Sequence, residues 1–253
     1  MKLGLDSYAY LKSPIHRWEP RCKLVGLMAL IFAFSGVQHL GLLPGMAALA
    51  IALYRVSQLP ISFLLRRLRY PSFFLLGMVG LLPFVAGDTV IFSMGPLALR
   101  LEGCLAAVLI TTRFLCIFTV ALVILGTTPF LTSIKAMRGL GLPSVLADMM
   151  LLSYRYLEEL GDRLRIMKLA MKLRGFRGNQ PSYGNLRVLA SLVGTLLVRS
   201  YEQSERVYQA MRLRGYGQSQ SLVPKQSVSS WDLVFLGVSL AIAAASIAAS
   251  ILW

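Results

Sequence analysis

Acidic residues are scarce in this chain of 253 residues: 11 Asp and Glu stand against 26 Lys and Arg. So few carboxylates leave little material for a metal-dependent acidic site. Glu158–Asp162 is the one pair spaced like Asp-x-x-x-Asp, and a solvated helix face explains it better. Histidine is rarer still. His16 and His39 are the only two, and neither has Cys or acidic neighbours with which to build a metal site of three or four ligands. His16 reads as an interfacial or capping residue. The cysteines, Cys22, Cys104 and Cys116, are odd in number and show no Cys-x-x-Cys spacing. They exclude a disulfide framework and are expected to be small apolar core residues. Also missing are a Gly-x-x-x-x-Gly-Lys-Ser/Thr phosphate loop and a His-Glu-x-x-His pair, and no spacing recommends a Ser-His-Asp set. Catalytic residues, metal and cofactor are accordingly all expected to be none. The first 20 residues are polar and mixed, and no cleavable signal peptide is visible.

What the chain has in abundance is apolar sequence: 56% of residues are hydrophobic and mean hydropathy is +0.66. These residues come in long blocks, which predicts an all-α polytopic membrane protein and not a soluble globule. About five spans are expected, at Cys22–Val37, Leu42–Tyr54, Pro71–Ala86, Gly103–Gly126 and Trp231–Trp253, the last with a tryptophan at each end. The net charge of +15 would suit nucleic acid, but it is segregated between the apolar blocks, so no nucleic-acid partner is expected. Five basic residues precede or open the first span and four lie in the Arg55–Tyr70 loop. Fifteen lie between Thr127 and Ser230, leaving only Arg100 and Arg113 elsewhere. The positive-inside rule then places the N-terminus in the cytoplasm and the C-terminus outside.

The basic stretch before the last span carries two helical patterns. Leu146, Met149, Leu152, Tyr156, Leu160 and Leu164 recur at steps of three and four, predicting an amphipathic helix over Val145–Leu173 with Ser144 as N-cap. A second is predicted over Asn185–Leu213. Between them "RGFRGNQPSYG" reads as a loop. A shorter helix, "PFLTSIKAMRGLGLP", precedes both and is closed by Gly139 and Gly141. The organisation expected is a membrane domain over 1–126 with four spans, a cytoplasmic region over 127–230 with two long coupling helices, and a last span over 231–253.

Both long helices end in nearly the same seven residues, "AMKLRGF" at Ala170–Phe176 and "AMRLRGY" at Ala210–Tyr216. Gly175 and Gly215 are placed to take the left-handed conformation that closes a helix. Arg174 and Arg214 fall where a cation meets the negative end of the macrodipole. Ala170 and Ala210 lie one turn back on the same face, where a partner backbone can approach closely. A Leu-Arg-Gly terminus alone could be a mere helix stop; two copies suit two like receptors, as on a dimeric partner.

Paired Ala-x-x-x-Arg-Gly tips after "LLSYRYLEELGDRLRIMKLAMKLRG" resemble the transmembrane T component of energy-coupling factor (ECF) transporters. "DSYAYLKSPIHRWEPRCKL" and "MRGLGLPSVLADMMLLSYRYL" resemble its cobalt-type branch, CbiQ. The resemblance covers most of the chain. It implies a non-catalytic energy-coupling subunit of the cytoplasmic membrane of a prokaryote. Two ABC-type ATPase subunits would hydrolyse ATP, and a metal-specific substrate-binding membrane subunit would take the cargo, cobalt or nickel ions. It also implies that Ala170, Arg174, Gly175, Ala210, Arg214 and Gly215 form the ATPase-coupling motifs.

Arg113, inside the fourth span, is a candidate contact to the substrate subunit or a hinge; an internal structural pair or snorkelling is the plainer alternative. Glu102 and Asp88, its nearest carboxylates in sequence, are expected outside. Asp6, Arg17, Arg21 and Lys23 match the cobalt-type pattern, yet a basic run against anionic lipid explains the cations equally well. Two rival functions remain in view. A membrane-embedded enzyme acting on an acidic lipid or isoprenoid would need acidic pairs that the chain lacks. A self-sufficient carrier would need broken spans and mid-membrane polar groups, of which only Arg113 qualifies.

Overall fold

The computed structural model describes residues 13–85, 90–94, 97–176, 182–217 and 230–252. Apart from one hairpin the described chain is helical: α1 (Pro14–Arg17), α2 (Pro20–Gly36), a 3-10 turn (Leu40–Leu42), α3 (Leu43–Ser57), α4 (Ile61–Val85), β1 (Val90–Met94), β2 (Leu97–Arg100), α5 (Leu101–Thr127), α6 (Phe130–Gly139), α7 (Ser144–Leu173), α8 (Tyr183–Leu213) and α9 (Ser230–Leu252). Contacts group these elements into two units, one of α1–α6 with the hairpin and α9, and one of α7 and α8. Asp6, Asp88, Ala86, Trp253 and much of the 174–184 loop lie outside the described residues.

Five long apolar helices dominate the first unit: α2, α3, α4, α5 and α9. By length and hydropathy Leu40–Ser57, Leu101–Thr127 and Ser230–Ser250 can each cross a bilayer. The core lies where α2, α3 and α5 meet, around Leu30, Phe34, Met46, Val120 and Val123. α2 and α9 run side by side in the same direction. The Glu19 N–H donates to Asp232 Oδ1 (3.2 Å), and the Trp18 and Phe235 rings are 6.0 Å apart. Gly26 faces Ser239 so closely that a Cβ would strike its hydroxyl. Small residues at such a crossing let helices approach where no hydrophobic force drives them together.

α5 runs antiparallel to α2, and a buried cation fastens one end of the pair. Lys23, 2% exposed, donates through Nζ to the carbonyls of Ile15 and Thr127 (both 3.3 Å) and to Thr127 Oγ1 (3.1 Å). Lys23 is therefore a structural cation at the C-terminal carbonyls of α5, and it does not face lipid as a basic run would. Of its companions, Arg21 packs on Gly139 of α6 and lies 3.6 Å from Glu19 Oε1.

Other expectations need correction. Arg55–Tyr70 is not a loop: Gln58 takes a left-handed turn (φ 54°), and α4 starts at Ile61 and runs through Pro71 and Pro83. A proline usually opens or breaks a helix in water, and Pro71 reads as an opening; membrane helices tolerate it inside. Between α4 and α5 the chain forms the antiparallel hairpin β1–β2, pairing Met94 with Leu97 and Phe92 with Leu99. Ser144 is the first residue of α7 and does not cap it; Pro143 is the N-cap. Of the cysteines, Cys22 and Cys116 are buried but Cys104 only half-buried, and all three are free.

Candidate functional site: two helix tips

The repeated seven residues build the same backbone device twice. Arg174 is the C-cap of α7 (φ −83°, ψ 12°), and its N–H returns to Ala170 O (3.2 Å). Gly175 follows at φ +85°. Its N–H donates to Lys172 O (3.1 Å), and the Phe176 N–H to Met171 O (3.1 Å). Those two bonds, from the first and second residues past the cap, define a Schellman motif. α8 repeats it. Arg214 is the C-cap, Gly215 has φ +77°, Gly215 N–H donates to Arg212 O (3.0 Å) and Tyr216 N–H to Met211 O (3.0 Å).

Three of the recurring residues have a role in the cap itself. Glycine takes the left-handed position that a Cβ penalises. The aromatic and the methionine occupy the two ends of the outer hydrogen bond, where a hydrophobic contact commonly accompanies this cap. Leucine and arginine are left over. Leu173 is 81% and Leu213 90% exposed, and both arginines are exposed too. Neither guanidinium has an ion-pair or hydrogen-bond partner among the described residues. Ala170 and Ala210, one turn back, are exposed as well. The sequence pointed to the arginines and alanines; it missed the leucines, because a helical Leu reads as core until its face is known to be bare.

Within its unit the α7–α8 pair sets where the two tips lie. Gln203 Nε2 donates to Glu159 Oε2 (3.1 Å), and Tyr216 Oη donates to Asp148 Oδ2 (3.1 Å). As residue number rises on one helix it falls on the other, so the two are antiparallel. The α8 tip thus lies beside the start of α7, while the α7 tip is 26 residues further on. At ~1.5 Å per residue the tips are roughly 40 Å apart, at opposite ends of the pair. α7 and α8 touch over a limited stretch, and beside it opens an apolar groove of about 670 Å³ lined by Met149, Leu152, Tyr156, Val207 and Met211.

Arg113 belongs to the first unit. It lies midway along α5 and donates through Nη2 to the carbonyl of Val37, the C-cap of α2. Among the described residues no group of three or more His, Cys, Asp and Glu could hold a metal ion.

A protein-family profile described as cobalt transport protein, CbiQ, matches residues 11–224. An energy-coupling factor transporter transmembrane protein EcfT from Listeria innocua is 29% identical over 226 residues, covering 85% of each chain. The EcfT of Macrococcus caseolyticus is 30% identical over 233 residues, again with 85% of each covered. A putative ABC transporter ATP-binding protein of Bifidobacterium longum is 25% identical over 249 residues; the match takes in 93% of this chain and 32% of that longer one.

Proposed function

Because the chain belongs to the cobalt transport protein family CbiQ, the T components of ECF transporters, we propose that its paired tips receive mechanical work from two ABC-type ATPase subunits. In this reading the chain is a non-catalytic coupling subunit. Each tip docks on one ATPase; when ATP draws the ATPases together, the tips move and α7 and α8 transmit the displacement to a substrate-binding membrane subunit. Packed helices shift between discrete arrangements, which suits such a relay. The cargo is a divalent metal ion, cobalt or nickel, whose ligands are supplied by that other subunit. The Bifidobacterium longum relative, whose name is putative ABC transporter ATP-binding protein, supports ATPase partners, since a segment like this chain forms part of that longer protein.

The observation that carries the proposal is the duplicated tip: two identical caps, each presenting a bare Leu-Arg pair, at opposite ends of one antiparallel helix pair. A single helix stop needs no such duplication. A dimeric receptor with two equivalent sites does. Arginine is the apt cation, because its planar fork can bond a carboxylate and a carbonyl in fixed geometry.

Each guanidinium contributes about 1.5–3 kcal/mol if it forms a desolvated charge-assisted bond. Changing Arg174 and Arg214 together to Glu should therefore weaken ATPase binding by two orders of magnitude or more, roughly 3–6 kcal/mol. Affinity co-purification from membranes tests this. The pair of ATPases should be lost while the variant still inserts in the membrane; undiminished association overturns the docking role.

A further inference from the structure

A groove of about 830 Å³ opens between α3, the start of α4 and the middle of α5. Ala50, Leu64, Leu68 and Leu115 give it apolar walls, and Arg55 and Gln58 stand at one end. That end is where α3 finishes and α4 begins. Arg66, Arg67 and Arg69 follow on the same turns of α4 as Leu68, all exposed; Arg67 lies 5.5 Å from the Phe63 ring. Among the described residues no acidic side chain lines the groove and Arg55 has no ion-pair partner.

We propose that this groove is a binding site for an anionic glycerophospholipid, with an acyl chain along the apolar walls and the headgroup phosphate at Arg55. Three observations favour that occupant. The volume lies in the range in which proteins enclose one small molecule. A spanning helix, ~10 Å across and ~30 Å long, occupies on the order of 2,000 Å³ and does not fit within it. The charge is one-sided: apolar along its length and cationic at one mouth, the pattern of a lipid with an anionic head. Arginines near the end of a membrane helix also reach back to the headgroup layer along their apolar stems. The site is independent of the ATPase-docking reading and requires only that this unit is embedded in a bilayer.

The full chain, purified in mild detergent, is titrated with phosphatidylglycerol and with phosphatidylcholine of the same acyl chains and read by native mass spectrometry. One phosphatidylglycerol should bind at least ~10-fold more tightly than phosphatidylcholine. Arg55→Gln should reduce that preference about fivefold, the scale expected for one basic residue near a charged headgroup. Ile51→Trp puts bulk at a groove-lining position that is 60% exposed, so folding tolerates it, and should abolish tight binding of either lipid. Arg174→Glu with Arg214→Glu should bind lipid as the wild type does, which separates this site from the coupling tips. Equal binding of the two lipids, an unchanged preference in Arg55→Gln, or unchanged occupancy in Ile51→Trp would each overturn the proposal. So would a photoactivatable crosslinker at position 51 that captures a partner membrane protein in place of lipid.

Discussion

Gly175 and Gly215 hold backbone angles, φ +85° and +77°, that an L-residue adopts at a cost of roughly 1–2 kcal/mol. Gly→Ala at either position should therefore open the last turn of its helix about 5- to 30-fold more often. Hydrogen exchange at the Phe176 or Tyr216 amide, each the donor of the outer cap bond, measures this directly. An unchanged rate would mean that the cap does not depend on the left-handed residue. The leucines make a separable case. Leu173 and Leu213 contact little of their own chain, so Leu→Ala at both should leave thermal stability within about 0.5 kcal/mol. Association with the ATPases should fall nonetheless, since covering an exposed leucine at an interface removes apolar surface from water. Equal binding by wild type and the double leucine variant would confine the docking role to the arginines. The glycine and arginine of each tip were legible in sequence because a helix end constrains them locally. The exposed leucines were not, because exposure is decided by what the rest of the chain leaves uncovered.

Among the helices, α2 poses the sharpest question of fit. Its 17 residues span ~25 Å, less than the ~30 Å hydrocarbon core. Two contacts fix its alignment on α5: Lys23 with Thr127 at one end and Val37 with Arg113 at the other. Both spans are 14 residues, so the helices keep step over ~21 Å, and α5 continues another 12 residues past Arg113. α2 therefore stops within the depth covered by α5, with its last carbonyls away from the far surface. Arg113 meets that need at Val37, where its Nη2 brings a cationic donor to a carbonyl that lipid cannot satisfy. Arg113→Leu should lower stability by at least about 1–3 kcal/mol, the cost of an orphaned buried acceptor. Arg113→Lys, still cationic, should recover part of it. Thermal unfolding in detergent reads both. A leucine variant as stable as the wild type, yet transport-deficient, would instead favour the role in substrate-subunit contact. Sequence hydropathy located this span and its arginine; the pairing escaped it because the partner is a backbone carbonyl 76 positions away. Pro71 misled for a related reason: the rule that a proline opens or breaks a helix is local, and α4 runs on through it.

At the scale of the membrane unit, helix direction and charge agree. Lys23 ties the start of α2 to the end of α5, Arg21 packs on α6 at Gly139, and Glu19 joins the start of α9 through Asp232. These contacts gather the first residues of α2 and α9, the end of α5, and α6 at one end of the bundle. That end carries Arg17, Arg21, Lys135 and Arg138, whereas the chain between α2 and α3 carries no Lys or Arg. The positive-inside rule, which counts just such short flanking segments, predicts that the basic end faces the cytoplasm. The fold's outline was thus readable from apolar blocks and basic clusters, each a property of a dozen or more residues averaged together. The short hairpin β1–β2 was not, because nine residues of strand in a connecting segment carry too little signal to stand out. Orientation has a direct consequence for the tips, since an ATPase can reach them only from the cytoplasm. With Cys104, half-buried, first replaced by alanine, single cysteines at positions 138, 174 and 214 should react with a membrane-impermeant maleimide only after the cells are opened. A cysteine at position 88, in the segment before β1, should react in intact cells. Labelling of 174 and 214 from outside would reverse the topology and leave the paired tips with no nucleotide-driven partner to meet.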